Sequence, residues 1–276
     1  MSGTEEAFLH DIVHDKTMLT HYLGSMSVSD EIGTILGMLM SSLLISLNNI
    51  VSSFEVAFAG LSLAFFLVIL IKTDGLSIDE ETHAIANARK LLFAEISAAF
   101  LFFILIFGLF SERGEMVYQY AFTNLGVGLE SLGLIYLGAK LFSVIGSRLS
   151  HLIENKITTH MALLLSGFLQ VIAFAILTTN SSVLVIISLC IFFFSENIFR
   201  NIRSSFVLKN SHHQRRATNL SLISFGSSAI LIFSKLLIGW TLDVKFLYAI
   251  IFVVALKIIA IIFIINRTNS DKRLAL

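Results

Sequence analysis

Eight apolar stretches fill most of this chain, near 32–48, 50–72, 91–110, 121–143, 161–178, 182–199, 219–240 and 246–266. Each approaches the roughly 20 residues that a helix needs to cross a hydrocarbon core about 30 Å thick. A backbone in lipid must satisfy its own N–H and C=O groups, which a helix does within one segment. The period-two alternation of a β-barrel is absent. The expected fold is therefore an all-α integral membrane bundle of about eight transmembrane helices. Hydrophobic residues make up 56% of the chain and charged residues 14%, with a mean hydropathy of +0.87. Soluble domains run near 45–50% and roughly 25%.

The chain has no proline, where average usage of about 5% would give roughly 14. Helix bends must then come from glycine, serine or packing. Gly126, Gly128, Gly133 and Gly138 cluster in the fourth span. They read either as close helix packing or as a flexing, cavity-lining helix. Short joints at Leu47-Asn48-Asn49 and Thr178-Thr179-Asn180-Ser181 predict antiparallel helix hairpins.

Charge orients the set. With the N-terminus inside, the inner segments collect Lys16, Lys72, Arg89, Lys90, Arg148, Lys156, Arg200, Arg203, Lys209, Arg215, Arg216, Arg267, Lys272 and Arg273. Lys140 is expected near the inner end of its helix, and the outer segments keep Arg113 and Lys245. This asymmetry predicts both termini in the cytoplasm of a multi-pass plasma-membrane protein. Ser77 and Glu80 form a capping-box pattern in the linker 73–90.

A net charge of zero gives no footing for nucleic acid. One cysteine, Cys190, excludes an internal disulfide. His10 and His14 stand one helical turn apart beside Asp11 and Asp15, but no further close ligand completes a metal set, and His212-His213 sits in a basic loop. No phosphate loop or nucleophile constellation is present, so no metal, cofactor or enzymatic activity is expected.

The segment Arg215-Arg216-Ala217-Thr218-Asn219-Leu220-Ser221 opens the seventh span, which ends in Gly239-Trp240-Thr241-Leu242-Asp243. Upstream, Ser195-Glu196-Asn197 leads to Arg203-Ser204-Ser205-Phe206 and Asn210. The chain opens with Ser2-Gly3-Thr4-Glu5-Glu6-Ala7-Phe8-Leu9-His10-Asp11. Together these resemble the major facilitator superfamily, in its efflux-type members. The resemblance aligns the eight spans with helices five to twelve of a twelve-helix transporter, the first four missing. It implies residues 1–30 as a cytoplasmic segment, 31–72 as two helices of a partial N-half, 73–90 as a cytoplasmic linker, and 91–276 as a six-helix C-half with a short tail. It also implies that Arg203, Arg216, Thr218, Ser221, Gly239 and Asp243 organise loops and helix ends. Thr218 and Ser221 can cap the incoming helix. Two positions depart from the family pattern: Met38 holds a proline position after Gly33 and Gly37, and Ser234-Lys235 replaces another.

Polar groups at membrane depth are costly unless they pair or serve a cavity. Glu130, near the middle of its span, and Glu196 are the first candidates for a proton or substrate pathway, followed by Asn197, Glu95 and Glu55. A buried carboxylate can take and release a proton as a cavity opens to alternate sides. A structural ion pair or hydrogen bond of Glu130 or Glu196, with Lys235, Asn197 or Arg200 as partners, is the plainer reading. Gln170, Asn197 and Asn124 either bind substrate or bond a neighbouring helix. Lys257 can snorkel along its stem. The resemblance implies alternating-access transport of an unknown small molecule across the bilayer, with protons as a candidate coupling ion. The alternative is a non-transporting membrane interaction protein that needs a chain supplying the missing helices, packed on the small-residue face Gly33-x-x-x-Gly37-x-x-x-Ser41.

Overall fold

The structure, a computed structural model of the chain, describes residues 18–46, 98–111, 114–179, 181–211 and 216–274, with isolated positions before 18 and between 58 and 62. Apart from short turns, the described residues are helical: α1 Leu19–Ser46, α2 Ala98–Ser111, α3 Gly114–Asn124, α4 Leu129–Lys156, α5 Thr159–Ile176, α6 Ser182–Asn210, α7 Arg216–Val244 and α8 Phe246–Leu274. Of these, four contain stretches long and apolar enough to cross a membrane: Ser131–Lys156, Thr159–Ile176, Ser182–Asn210 and Phe246–Ile265. They mark the chain as a helical membrane protein.

Several expected boundaries move. The first helix begins at Leu19 rather than near 32, so residues 19–30 are part of one continuous helix with the expected span. The span expected at 121–143 is interrupted. Leu125-Gly126-Val127-Gly128 turns between α3 and α4, and Gly126 takes a φ of +72°, a conformation that glycine alone adopts without strain. Gly126 and Gly128 thus break the helix that they were expected to line. α4 is correspondingly displaced and runs on to Lys156. Spans 182–199 and 219–240 also extend, to Asn210 and Val244. At about 1.5 Å per residue, such helices are longer than the bilayer core is thick. The hairpin between α5 and α6 is as expected. The span 50–72 falls almost wholly, and the linker 73–90 entirely, outside the described residues.

α6 is the hub, packed along both α4 and α5. α1 lies along α4 and also touches α6, while α8 bridges α2 and α5. α7 packs on α2, α8 and α6. One aromatic cluster joins α2 to α6 through Phe103, Phe107 and Phe199, with the Phe103 and Phe107 rings 4.6 Å apart. A second joins α3, α5 and α6 through Tyr118, Phe174 and Phe192.

The distribution of polarity is inverted relative to a water-soluble domain. Leu134, Phe168, Val183, Phe225 and Trp240 face outward, whereas Thr20, Ser27, Ser147, Gln170 and Asn201 are fully or almost fully buried. Lipid is as apolar as leucine, so burial of leucine does not hold helices together there. Close packing and interhelical hydrogen bonds do. Two glycines allow the close packing. A methyl on Gly146 of α4 would collide with the carbonyl oxygen of Phe194 on α6, and one on Gly24 of α1 would meet the Ser147 carbonyl at 2.5 Å. Gly33 and Gly37, the face expected to receive partner helices, have open space around them.

Candidate functional site

A polar seam runs along the N-terminal part of α1 where it meets α4 and α6. On α1 it comprises Thr20, Ser27 and Glu31; on α4, Lys140, Ser143, Ser147, Ser150 and Glu154; on α6, Asn197, Asn201 and Ser205. Steps of three and four keep these residues on one face of each helix. At one end the Thr20 hydroxyl contacts Glu154 and donates to Ser205 Oγ at 2.7 Å. Glu154 also accepts from Thr159 and from Lys209 Nζ, each at 3.0 Å. Further along, Ser27 Oγ donates to Asn201 Oδ1 at 2.6 Å, and Asn201 Nδ2 donates to Ser150 Oγ at 3.4 Å. Asn197 donates to Ser143 and accepts from Ser147 Oγ at 3.2 Å and Arg200 Nη2 at 2.8 Å.

The seam ends on a charged knot. Buried Glu31 of α1 faces Lys140 Nζ at 3.3 Å and Arg200 Nη2 at 3.6 Å. Lys140 also lies 3.6 Å from Glu115 and 4.4 Å from the centroid of the Phe193 ring. Glu115 is only half-buried, so its pull on Lys140 is weaker than that of buried Glu31. Lys140 therefore sits near the middle of α4, not at its inner end as expected.

A second polar chain crosses the adjoining core. Lys257 of α8 is completely buried. Its Nζ donates to Gln170 Oε1 of α5 at 2.5 Å, and Gln170 Nε2 donates to Glu196 Oε2 of α6 at 3.1 Å. Phe107 and Phe174 cover the ammonium, with ring centroids 4.4 and 5.5 Å away. Three apolar helices thus each contribute one polar side chain to a single line. Glu196 stands midway along α6 and is half-buried, while Gln170 is fully buried. Lys257 does not snorkel: it lies too far from either end of α8, and Gln170 meets it inside.

The other expected residues are scattered. Glu130 falls in the first turn of α4, because the turn at 125–128 shifts the helix start away from 121. Glu55 and Glu95 lie outside the described residues, as do His10, His14 and Arg215. His21 is described, and its ring meets that of His151 edge-on at 5.3 Å. Among the described residues no cluster of three metal-ligating side chains occurs. Arg216 is the first residue of α7 and is buried, while Thr218 and Ser221 are exposed within the helix rather than ahead of it as caps. The tie across that loop is made by Asn219, whose Nδ2 donates to Ser211 Oγ at 2.8 Å. Gly239 and Asp243 lie in the last turns of α7, and Arg203 is half-buried on α6. Glu6 is buried near Arg203 and Ser204. Burial pushes its carboxyl above the usual range, and the Arg203 charge and a Ser204 hydrogen bond pull the other way.

Glu31 was not singled out from the sequence, Lys140 was read there only as an inner-end charge, and Lys257 as a snorkelling chain. The signal for the first two was present as small and polar residues spaced three and four apart, at Thr20, Gly24, Ser27 and Glu31 and at Lys140, Ser143, Ser147, Ser150 and Glu154. Nothing in the sequence pairs Lys257 with Gln170. A comparison with family models and with curated proteins finds no match to the chain.

Proposed function

We propose that the chain belongs to a secondary transporter that resembles the major facilitator superfamily and moves a small molecule across the plasma membrane by alternating access, both termini lying in the cytoplasm. The line Lys257–Gln170–Glu196 carries this reading. Ionisable groups inside a bilayer are retained where they serve a pathway, and this line joins three helices at depth. In the register read from the sequence, α1 belongs to one half of the transporter and α4 to α6 to the other. The Glu31–Lys140–Arg200 knot and the serine-asparagine seam then lie between halves, where such transporters place their substrate.

Glu196 is the proton-exchanging group in this scheme. Protonating it removes the charge that Gln170 relays to Lys257, and the ammonium then favours an arrangement in which water or substrate replaces that charge. Hydrogen-bonding hydroxyls and amides along the α1 seam can re-pair as the halves tilt, so the interface has two satisfied states rather than one.

Flux is the test. Proteoliposomes are loaded with a panel of radiolabelled solutes: a lipophilic cation, an amino acid, a sugar and an organic anion. Saturable flux of one solute, driven by an imposed pH gradient and lost in Glu196→Gln, is expected. No flux above protein-free liposomes for any solute overturns the transport reading. The open face at Gly33 and Gly37 favours one other reading, a non-transporting protein that packs on partner helices. Stoichiometric co-purification of a second membrane chain, without flux, would support it.

A further inference from the structure

Residues of α1 and α4, with Met18 just ahead of α1, line a groove of about 910 Å³. We propose that this groove binds a membrane phospholipid with an anionic headgroup. Its lining is amphipathic. Arg148, His21 and His151 supply cationic or proton-donating groups, and Ser25 and Ser29 add hydroxyls. The remaining walls, including Val28, Ile32 and Leu149, are aliphatic. The two kinds of surface lie side by side, as a headgroup and the start of its acyl chains require.

Charge selects the occupant. Among the described residues, no acidic side chain lines the groove. Among the described residues, no carboxylate pairs with Arg148. The nearest acid on α4, Glu154, is turned into the seam and held by Thr20, Thr159 and Lys209. Arg148 lies three residues from His151, so both side chains stand on one face of α4, and the His21 ring of α1 closes against His151 from the other wall. Arg148 and His151 fall within the last turns of α4, ahead of Lys156. At about 1.5 Å per residue Arg148 is about 12 Å from that end. A guanidinium there reaches a phosphate at the headgroup level by extending along the helix. Basic pockets between membrane helices at this depth hold anionic headgroups. A soluble anion would satisfy Arg148 but would leave the aliphatic walls without a partner.

Native mass spectrometry of the detergent-solubilised chain distinguishes the sources. Phosphatidylglycerol and phosphatidylcholine of identical acyl chains are added in parallel. The wild-type chain is expected to retain phosphatidylglycerol about fivefold more than phosphatidylcholine, about what one basic side chain near the membrane surface contributes. Arg148→Gln should abolish that preference while leaving phosphatidylcholine binding unchanged, and Arg148→Lys should keep most of it. Equal retention of the two lipids by the wild-type chain, or an unchanged preference in Arg148→Gln, overturns the proposal. So does displacement of phosphatidylglycerol by millimolar inorganic phosphate, which would mark a soluble-anion site instead.

Discussion

Replacing Glu196 by leucine should destabilise the bundle more than replacing Lys257 by methionine, and the double replacement should recover most of the loss. The asymmetry follows from burial. Lys257 is completely enclosed, so its ammonium cannot reach water when Glu196 is removed. Orphaning a buried charge costs about 3–5 kcal/mol. Gln170 Oε1 remains at 2.5 Å and the Phe107 ring at 4.4 Å, so the lower end of that range applies, about 3 kcal/mol. In the converse variant, Lys257→Met, Glu196 is only half-buried and keeps its hydrogen bond from Gln170 Nε2. The loss there is a hydrogen bond to a charged group, about 1.5–3 kcal/mol, offset by the apolar fit of methionine between Phe107 and Phe174. A cost near 1 kcal/mol is expected. The double variant leaves neither charge, and buried ion pairs replaced by apolar residues of similar volume are often neutral or stabilising. Unfolding in mixed micelles, followed by far-ultraviolet circular dichroism as sodium dodecyl sulfate is titrated in, gives all four free energies. A coupling of about 2 kcal/mol or more is expected. Costs that add within about 0.5 kcal/mol would refute the line as an energetic unit.

Two further outcomes follow from the packing and the charges. Gly146→Ala forces a methyl against the Phe194 carbonyl at the α4–α6 contact, so it should lower stability in the same assay by about 1–3 kcal/mol, whereas Gly37→Ala, in open space, should not. Glu6 binds its proton more tightly when folded, so its contribution is full below the ordinary value of 4.5 and is lost as pH rises through the raised folded value. Glu6→Gln should therefore raise the melting temperature at neutral pH and leave it unchanged below pH 4.5, and an equal shift at both pH values would show that Glu6 does not titrate this way.

The composition made the solvent plain, because no core in water accounts for so many apolar residues between so few charges. It did not give helix ends. Hydropathy averages over a window, so it placed one span across 121–143, where Gly126 turns the chain. It stopped the sixth span at 199, where charged residues begin although the helix continues to Asn210. Lys140 and Arg200 looked like inner-end charges for the same reason, and both are drawn inward by Glu31.

Glu196 and Asn197 were legible as candidates because a polar residue in an apolar run stands out whatever surrounds it. Their partners were not. Gln170 lies 26 residues before Glu196 and Lys257 lies 87 after Gln170, and a single sequence has no term that joins positions so far apart. The sequence alone determined that these helices live in lipid and that their few polar groups must find one another. Which groups meet was decided by how α1, α4, α5, α6 and α8 pack. Lysine, glutamine and glutamate each cost too much in lipid to stand alone, and only the packed bundle brings them within hydrogen-bond reach.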